Sequence, residues 1–68
     1  MLNKVREQRN IMGLSQKDLS QRLGVSRPTI SNLERGIYDP SGTLILNIAK
    51  IFGKPVEQIF FIDNVKLE

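Results

Sequence analysis

Ser15-Gln16-Lys17-Asp18-Leu19-Ser20-Gln21-Arg22-Leu23-Gly24-Val25-Ser26-Arg27-Pro28-Thr29-Ile30-Ser31-Asn32-Leu33-Glu34-Arg35 is the stretch whose reading decides the fold. Ser15 carries the hydroxyl of a helix N-cap, and Asp18 stands three residues on, where a carboxylate complements the positive helix end. The spacing predicts a short helix two over Gln16–Leu23, anchored inward by Leu19 and Leu23. Gly24 ends it, because glycine enters the left-handed backbone region without a Cβ penalty. Val25 is the apolar residue inside the turn, and Ser26 caps helix three, predicted over Arg27–Arg35 and closed by Gly36.

Two short helices joined by a tight glycine-containing turn form a helix-turn-helix. Any helical bundle has such corners, so the side-chain chemistry of helix three must decide. At about 100° per residue, Ile30, Leu33 and Glu34 share one side, while Arg27, Pro28, Ser31, Asn32 and Arg35 gather on the other. The second face offers two guanidinium groups, an amide and a hydroxyl, with no acid and no large aliphatic. An ordinary solvated face mixes both charge signs. This one suits a major groove, where arginine grips guanine and asparagine pairs with adenine.

Outward from this core, Leu2, Val5, Arg9 and Met12 lie on one helical stripe, predicting helix one over Asn3–Met12 with Gly13 as its stop. Ser41 is a third N-cap, for helix four over Thr43–Phe52, ended by Gly53. Pro55 stands at the start of helix five, expected over Val56–Phe61. The tail 62–68 alternates at Val65 and Leu67, a pattern compatible with a short extended strand. The expected fold is all-α, five short helices in one domain over residues 1–61.

The 68 residues have room for one modest core. With 40% apolar and 25% charged residues the composition is that of a soluble domain, and no apolar run approaches a bilayer span. No signal segment is recognisable, so cytoplasmic residence is expected. The absence of cysteine and histidine removes disulfides, zinc-finger sites and histidine-based catalysis; no cofactor or metal is expected, and no enzyme activity. Net charge is +3, and its placement matters more than its size. Up to Gly36, Lys4, Arg6, Arg9, Lys17, Arg22, Arg27 and Arg35 face only Glu7, Asp18 and Glu34. From Ile37 onward four acids outnumber three lysines, so the whole positive excess lies in the first half, where a polyanion would be drawn.

Gly13 through Gly36, continued by Tyr38, Pro40, Ser41, Ile48-Ala49-Lys50, Phe52-Gly53 and Glu57-Gln58-Ile59-Phe60, resembles the phage repressor and Cro type of helix-turn-helix regulator, the Xre family. The resemblance covers about Asn3–Phe61. It implies a five-helix domain that binds operator DNA sequence-specifically and usually represses transcription. It places Ser26, Arg27, Pro28 and Asn32 against base edges. Gln16 is placed on a phosphate at the positive end of helix two, with Thr29, Arg35 and the Gly36–Asp39 loop on the DNA backbone. Tyr38 either contacts phosphate or packs the loop. Arg9 and Glu34 match a structural ion pair joining helices one and three, which the helical wheel also permits.

Pro28 departs from the family, which more often has glutamine there. Its ring either packs on a thymine methyl or stiffens the first turn, where a missing N–H is tolerated, and stiffening is the slightly favoured role. Gly42 likewise stands where leucine is commoner. Helix four is apolar over more than half its circumference, wider than one core requires. With Ile45, Ile51, Phe60, Phe61 and Ile62, this suggests a surface for a second copy, the alternative being a generous monomer core. A two-fold homodimer would read palindromic double-stranded DNA. The rival function is a protein–protein adaptor or antitoxin-like module on the same fold; Arg27, Asn32 and Arg35 argue against the adaptor.

Overall fold

The computed structural model describes residues 1–62. Its elements are β1 (Leu2–Asn3), α1 (Val5–Ile11), α2 (Gln16–Leu23), α3 (Arg27–Glu34), α4 (Gly42–Phe52), a single 3₁₀ turn at Val56–Gln58 and β2 (Phe60–Phe61). Three serines start three of the helices. Ser15, Ser26 and Ser41 each have extended backbone, and each hydroxyl accepts from the N–H three residues on, that of Asp18, Thr29 or Leu44. Ser15 and Asp18 complete a reciprocal capping box, with bonds of 2.9 and 3.0 Å. Between α2 and α3 the chain reverses at Gly24, whose φ of 69° lies in the left-handed region.

Where a fifth helix was expected over Val56–Phe61, the chain makes only one 3₁₀ turn and then extends. Pro55 is itself extended (φ −61°, ψ 148°), and the turn closes through Gln58 N–H to the Pro55 carbonyl and Ile59 N–H to that of Val56. The run that follows, Ile59-Phe60-Phe61-Ile62, is of residues that favour a pleated, half-buried surface. It meets β1, with Leu2 opposite Phe61 and Asn3 opposite Phe60 in antiparallel pairing. Lys4 N–H extends the link to the Ile59 carbonyl at 2.8 Å. The same pairing moves the start of α1 from Asn3 to Val5. The all-helical expectation is therefore corrected to four α-helices and a two-stranded antiparallel sheet among the described residues. The strand expected near Val65 and Leu67 lies outside them.

Every helix contributes to one core. Val5 of α1, Leu19 of α2, Ile30 and Leu33 of α3, Ile48 of α4, and Ile59 are fully buried; Leu44, Ala49, Phe52 and Phe60 complete the cluster. Leu23, Ile45 and Ile51 are half-buried against its edge. Leu2 and Met12, on the apolar stripe read for helix one, remain 55% and 42% exposed.

Asn3 does more than pair in the sheet. Its amide donates 2.8 Å to the Leu33 carbonyl at the end of α3, and its Oδ1 accepts from Val5 N–H at 3.2 Å, serving the first turn of α1. Asn3→Ala removes both bonds, together with a third from the amide to the Met1 carbonyl at 3.1 Å, and leaves the part-buried Leu33 carbonyl without that donor. A loss of about 1–2 kcal/mol is expected, measured as a lower midpoint in urea unfolding at unchanged slope.

Candidate nucleic-acid interface

The interface is built on the packing of α2 against α3. Ile30 and Leu33 point into the core, so the opposite face of α3 is turned outward. Arg27 and Pro28 in its first turn, and Arg35 at its C-cap, are exposed; Ser31 and Asn32 are half-buried. Ser26 is exposed and Thr29 half-buried; their hydroxyls are bonded to each other at 2.8 Å, and Ser26 Oγ also accepts from Thr29 N–H at 3.3 Å. Beyond α3, the Asn32 carbonyl accepts from Ile37 N–H (3.0 Å) and Tyr38 N–H (3.3 Å), folding the next loop back on the helix with Tyr38 exposed. The N-terminal ammonium of Met1 bonds Asp39 Oδ1 at 2.8 Å at the far side of that loop.

One acid on α3 is turned inward. The Glu34 side chain has no exposed surface, while that of Arg9 is 11% exposed. Arg9 Nε donates to Oε2 at 2.7 Å and Nη2 to Oε1 at 3.3 Å, a forked contact that also fixes geometry. Arg9 Nη1 continues to the Leu14 carbonyl at 2.8 Å, tying in the α1–α2 turn. Gln16, first residue of α2, donates its amide to Glu34 Oε1 at 3.1 Å, and the more exposed Arg6 adds a longer bond of 3.4 Å. α1, α2 and α3 thus meet on one carboxylate. Sequence reading missed Arg6 at this junction, though its spacing of three from Arg9 puts both on one face, and it missed Asn3 on the Leu33 carbonyl, whose signal was an Asx side chain two residues before the helix.

Gln16 was expected on a phosphate; in this structure its amide is held by Glu34 at the open end of α2. The cap takes the Asp18 N–H, and the Gln16 and Lys17 N–H groups have no intrahelical acceptor, as in any first turn. Of the five apolar residues suggested for a second copy, Phe60 is buried in the monomer core, which answers part of the surplus. Ile45, Ile51 and Phe61 are half-buried, Lys4 Nζ stands 5.7 Å from the centre of the Phe61 ring, and Ile62 is 76% exposed. Ile45, Phe61 and Ile62 line a mainly apolar groove with Met1, Val56, Phe60 and the charged Glu57.

A short helix packed across a glycine turn on a second helix, whose outward face is basic and free of acids, defines a helix-turn-helix nucleic-acid-binding domain. The chain belongs to the Xre-type helix-turn-helix family, DNA-binding regulators of transcription: the helix-turn-helix family model matches residues 5–59. It is 47% identical over 64 residues to an uncharacterized HTH-type transcriptional regulator of Methanocaldococcus jannaschii, spanning 94% of this chain and 97% of that protein. It is 41% identical over 64 residues to one of Bacillus subtilis, with the same coverage. A propionyl-CoA carboxylase regulator of Cereibacter sphaeroides is 38% identical over 56 residues, which are 82% of this chain and 12% of that protein. No helix among the described residues is long and apolar enough to cross a membrane.

Burial pushes the Glu34 carboxyl up, but the bonds from Arg9 and Gln16 and the Arg9 charge outweigh it and hold the group below its ordinary value of 4.5. Asp18 is also held low, first by the Ser15 N–H and then by its hydroxyl. A carboxyl depressed in the fold contributes stability that is fully present above its unfolded value and is lost as pH falls through the folded one. Wild-type unfolding free energy should therefore decline as pH drops below about 4.5. Glu34→Gln should flatten that decline, leaving the part that Asp18 contributes. Glu34→Ala, which leaves Arg9 nearly buried and without its carboxylate, should cost about 3–5 kcal/mol at pH 7. Denaturant unfolding across pH 2.5–7 would check both.

Proposed function

We propose that this chain is a cytoplasmic transcriptional repressor that binds palindromic operator DNA as a homodimer, with α3 in the major groove. The outward face of α3 carries this reading, because its one acid is buried on Arg9 and its exposed cations are Arg27 and Arg35. Arg27 and Asn32 read bases, Arg27 by gripping guanine and Asn32 by pairing with adenine. Ser26, whose hydroxyl serves the cap, lies beside them at the same base edges. Gln16, Thr29, Arg35 and Tyr38 meet the DNA backbone and set the register that those base contacts need.

The homodimer reading is supported by the apolar groove between α4 and β2. Ile45, Phe61 and the exposed Ile62 offer a partner copy apolar area beside, rather than inside, the monomer core. A two-fold pair would set the two α3 helices on half-sites about one turn, roughly 34–36 Å, apart.

Selection from a random DNA pool at several salt concentrations should return a palindromic site whose affinity falls steeply with salt as counterions are released. Recovery of no site at any salt would reject the proposal. On the recovered site Arg27→Ala should cost about 1–3 kcal/mol and relax preference at one base pair; equal weakening on all sequences would make Arg27 a phosphate contact. Ile62→Asp should leave the fold intact by circular dichroism and shift sedimentation toward the monomer. An unchanged sedimentation profile for this variant would place the dimer contact elsewhere.

A further inference from the structure

We infer that Pro28 makes the first turn of α3 a reader of the thymine C5-methyl group. The inference rests on the reading of α3 as the major-groove helix and adds what one of its positions selects. Ser26, Arg27, Pro28 and Thr29 are the cap and first three residues of α3. The Ser26 and Thr29 hydroxyls are bonded to each other at 2.8 Å, and Ser26 Oγ also closes the cap. That pairing uses one of the two hydroxyl protons and leaves the other free to donate outward beside the ring. Pro28 is exposed between them and has no donor in its backbone or its ring. The outward surface at this position is therefore hydrocarbon.

A polar base edge pressed on that ring loses its water and gains no partner, which disfavours it. Among the groups that bases present in the major groove, the thymine C5-methyl is the one alkyl group, cytosine offering only a C5–H at that place. Pro28 thus selects by both attraction and rejection: the ring covers a methyl, and the missing donor penalises carbonyl and ring-nitrogen acceptors. Arg27, its exposed neighbour, supplies the donors that Pro28 lacks. The two residues then read adjacent positions of opposite chemistry.

The test uses the full chain on the site returned by selection, with each thymine replaced singly by deoxyuridine, which differs only by the methyl. One thymine in each half-site should lose about fourfold in affinity on substitution, the ratio expected for one buried methyl-sized group. Pro28→Gly, with its fold checked by circular dichroism, should bind thymine and deoxyuridine at that position equally. Deoxyuridine tolerated at every thymine by the wild-type chain would overturn the inference whether or not the variant folds. So would a glycine variant that keeps the methyl preference, since another side chain would then be the reader. A pool that yields no site at all rejects the operator reading, and this inference with it.

Discussion

Three helices of at most eight residues each meet at the Glu34 carboxylate, where Arg9 grips both oxygens, Gln16 adds its amide and Arg6 reaches in from outside. Helices this short have little stability of their own in water. Their mutual placement is set by the core below and by this one polar junction above it. A buried ion pair is costly to desolvate and is weak evidence of net stability. What it supplies here is registration: α1 is fixed to α3 by Arg9, the α1–α2 turn to the same guanidinium by Leu14, and the open end of α2 to α3 by Gln16. The junction also removes the acid of α3 from the outer surface, so that the face turned to solvent carries cations without a compensating carboxylate.

Much of this was written locally in the sequence. Ser15, Ser26 and Ser41 start helices because a cap is a contact between residues three apart, and Gly24 turns the chain because its own φ allows it. The inward side of α3 followed from period alone, since Ile30 and Leu33 are apolar at helical spacing and both are fully buried. Local signals failed where the deciding partner is distant. Nothing near Ile59-Phe60-Phe61 announces that Leu2 and Asn3 will offer it a strand edge, and a proline followed by Val-Glu-Gln reads equally well as a helix start. The amide of Gln16 on Glu34 and that of Asn3 on the Leu33 carbonyl are similar cases, visible only once α1, α2 and α3 are placed.

The apolar residues of α4 and β2 show how far composition can be taken. Their excess over one helical stripe was plain, yet its destination was divided. Leu44, Ile48, Ala49, Phe52 and Phe60 went to the monomer core, while Leu46 stayed 64% exposed and Ile62 76% exposed. A helical wheel counts apolar positions but cannot assign them to one side of a boundary or the other. For the residues of β2 that assignment comes with the strand pairing, in which Phe60 is buried and Ile62 lies beyond the last paired residue.

The pairing of β1 with β2 also bears on the order in which the molecule assembles. α2, its glycine turn and α3 are neighbours in sequence and can meet quickly, whereas Leu2 and Phe61 are about sixty residues apart. Closing a loop of that length costs about 1.5 kcal/mol more than closing one of ten residues. The strand pair is only two residues long and gains little to offset this. Loop-closure entropy therefore weighs against this pair more than against the contacts within the helix-turn-helix. The helix-turn-helix is not insulated from that pair, because the Asn3 amide of β1 holds the Leu33 carbonyl, so an opened strand edge loosens the last turn of α3.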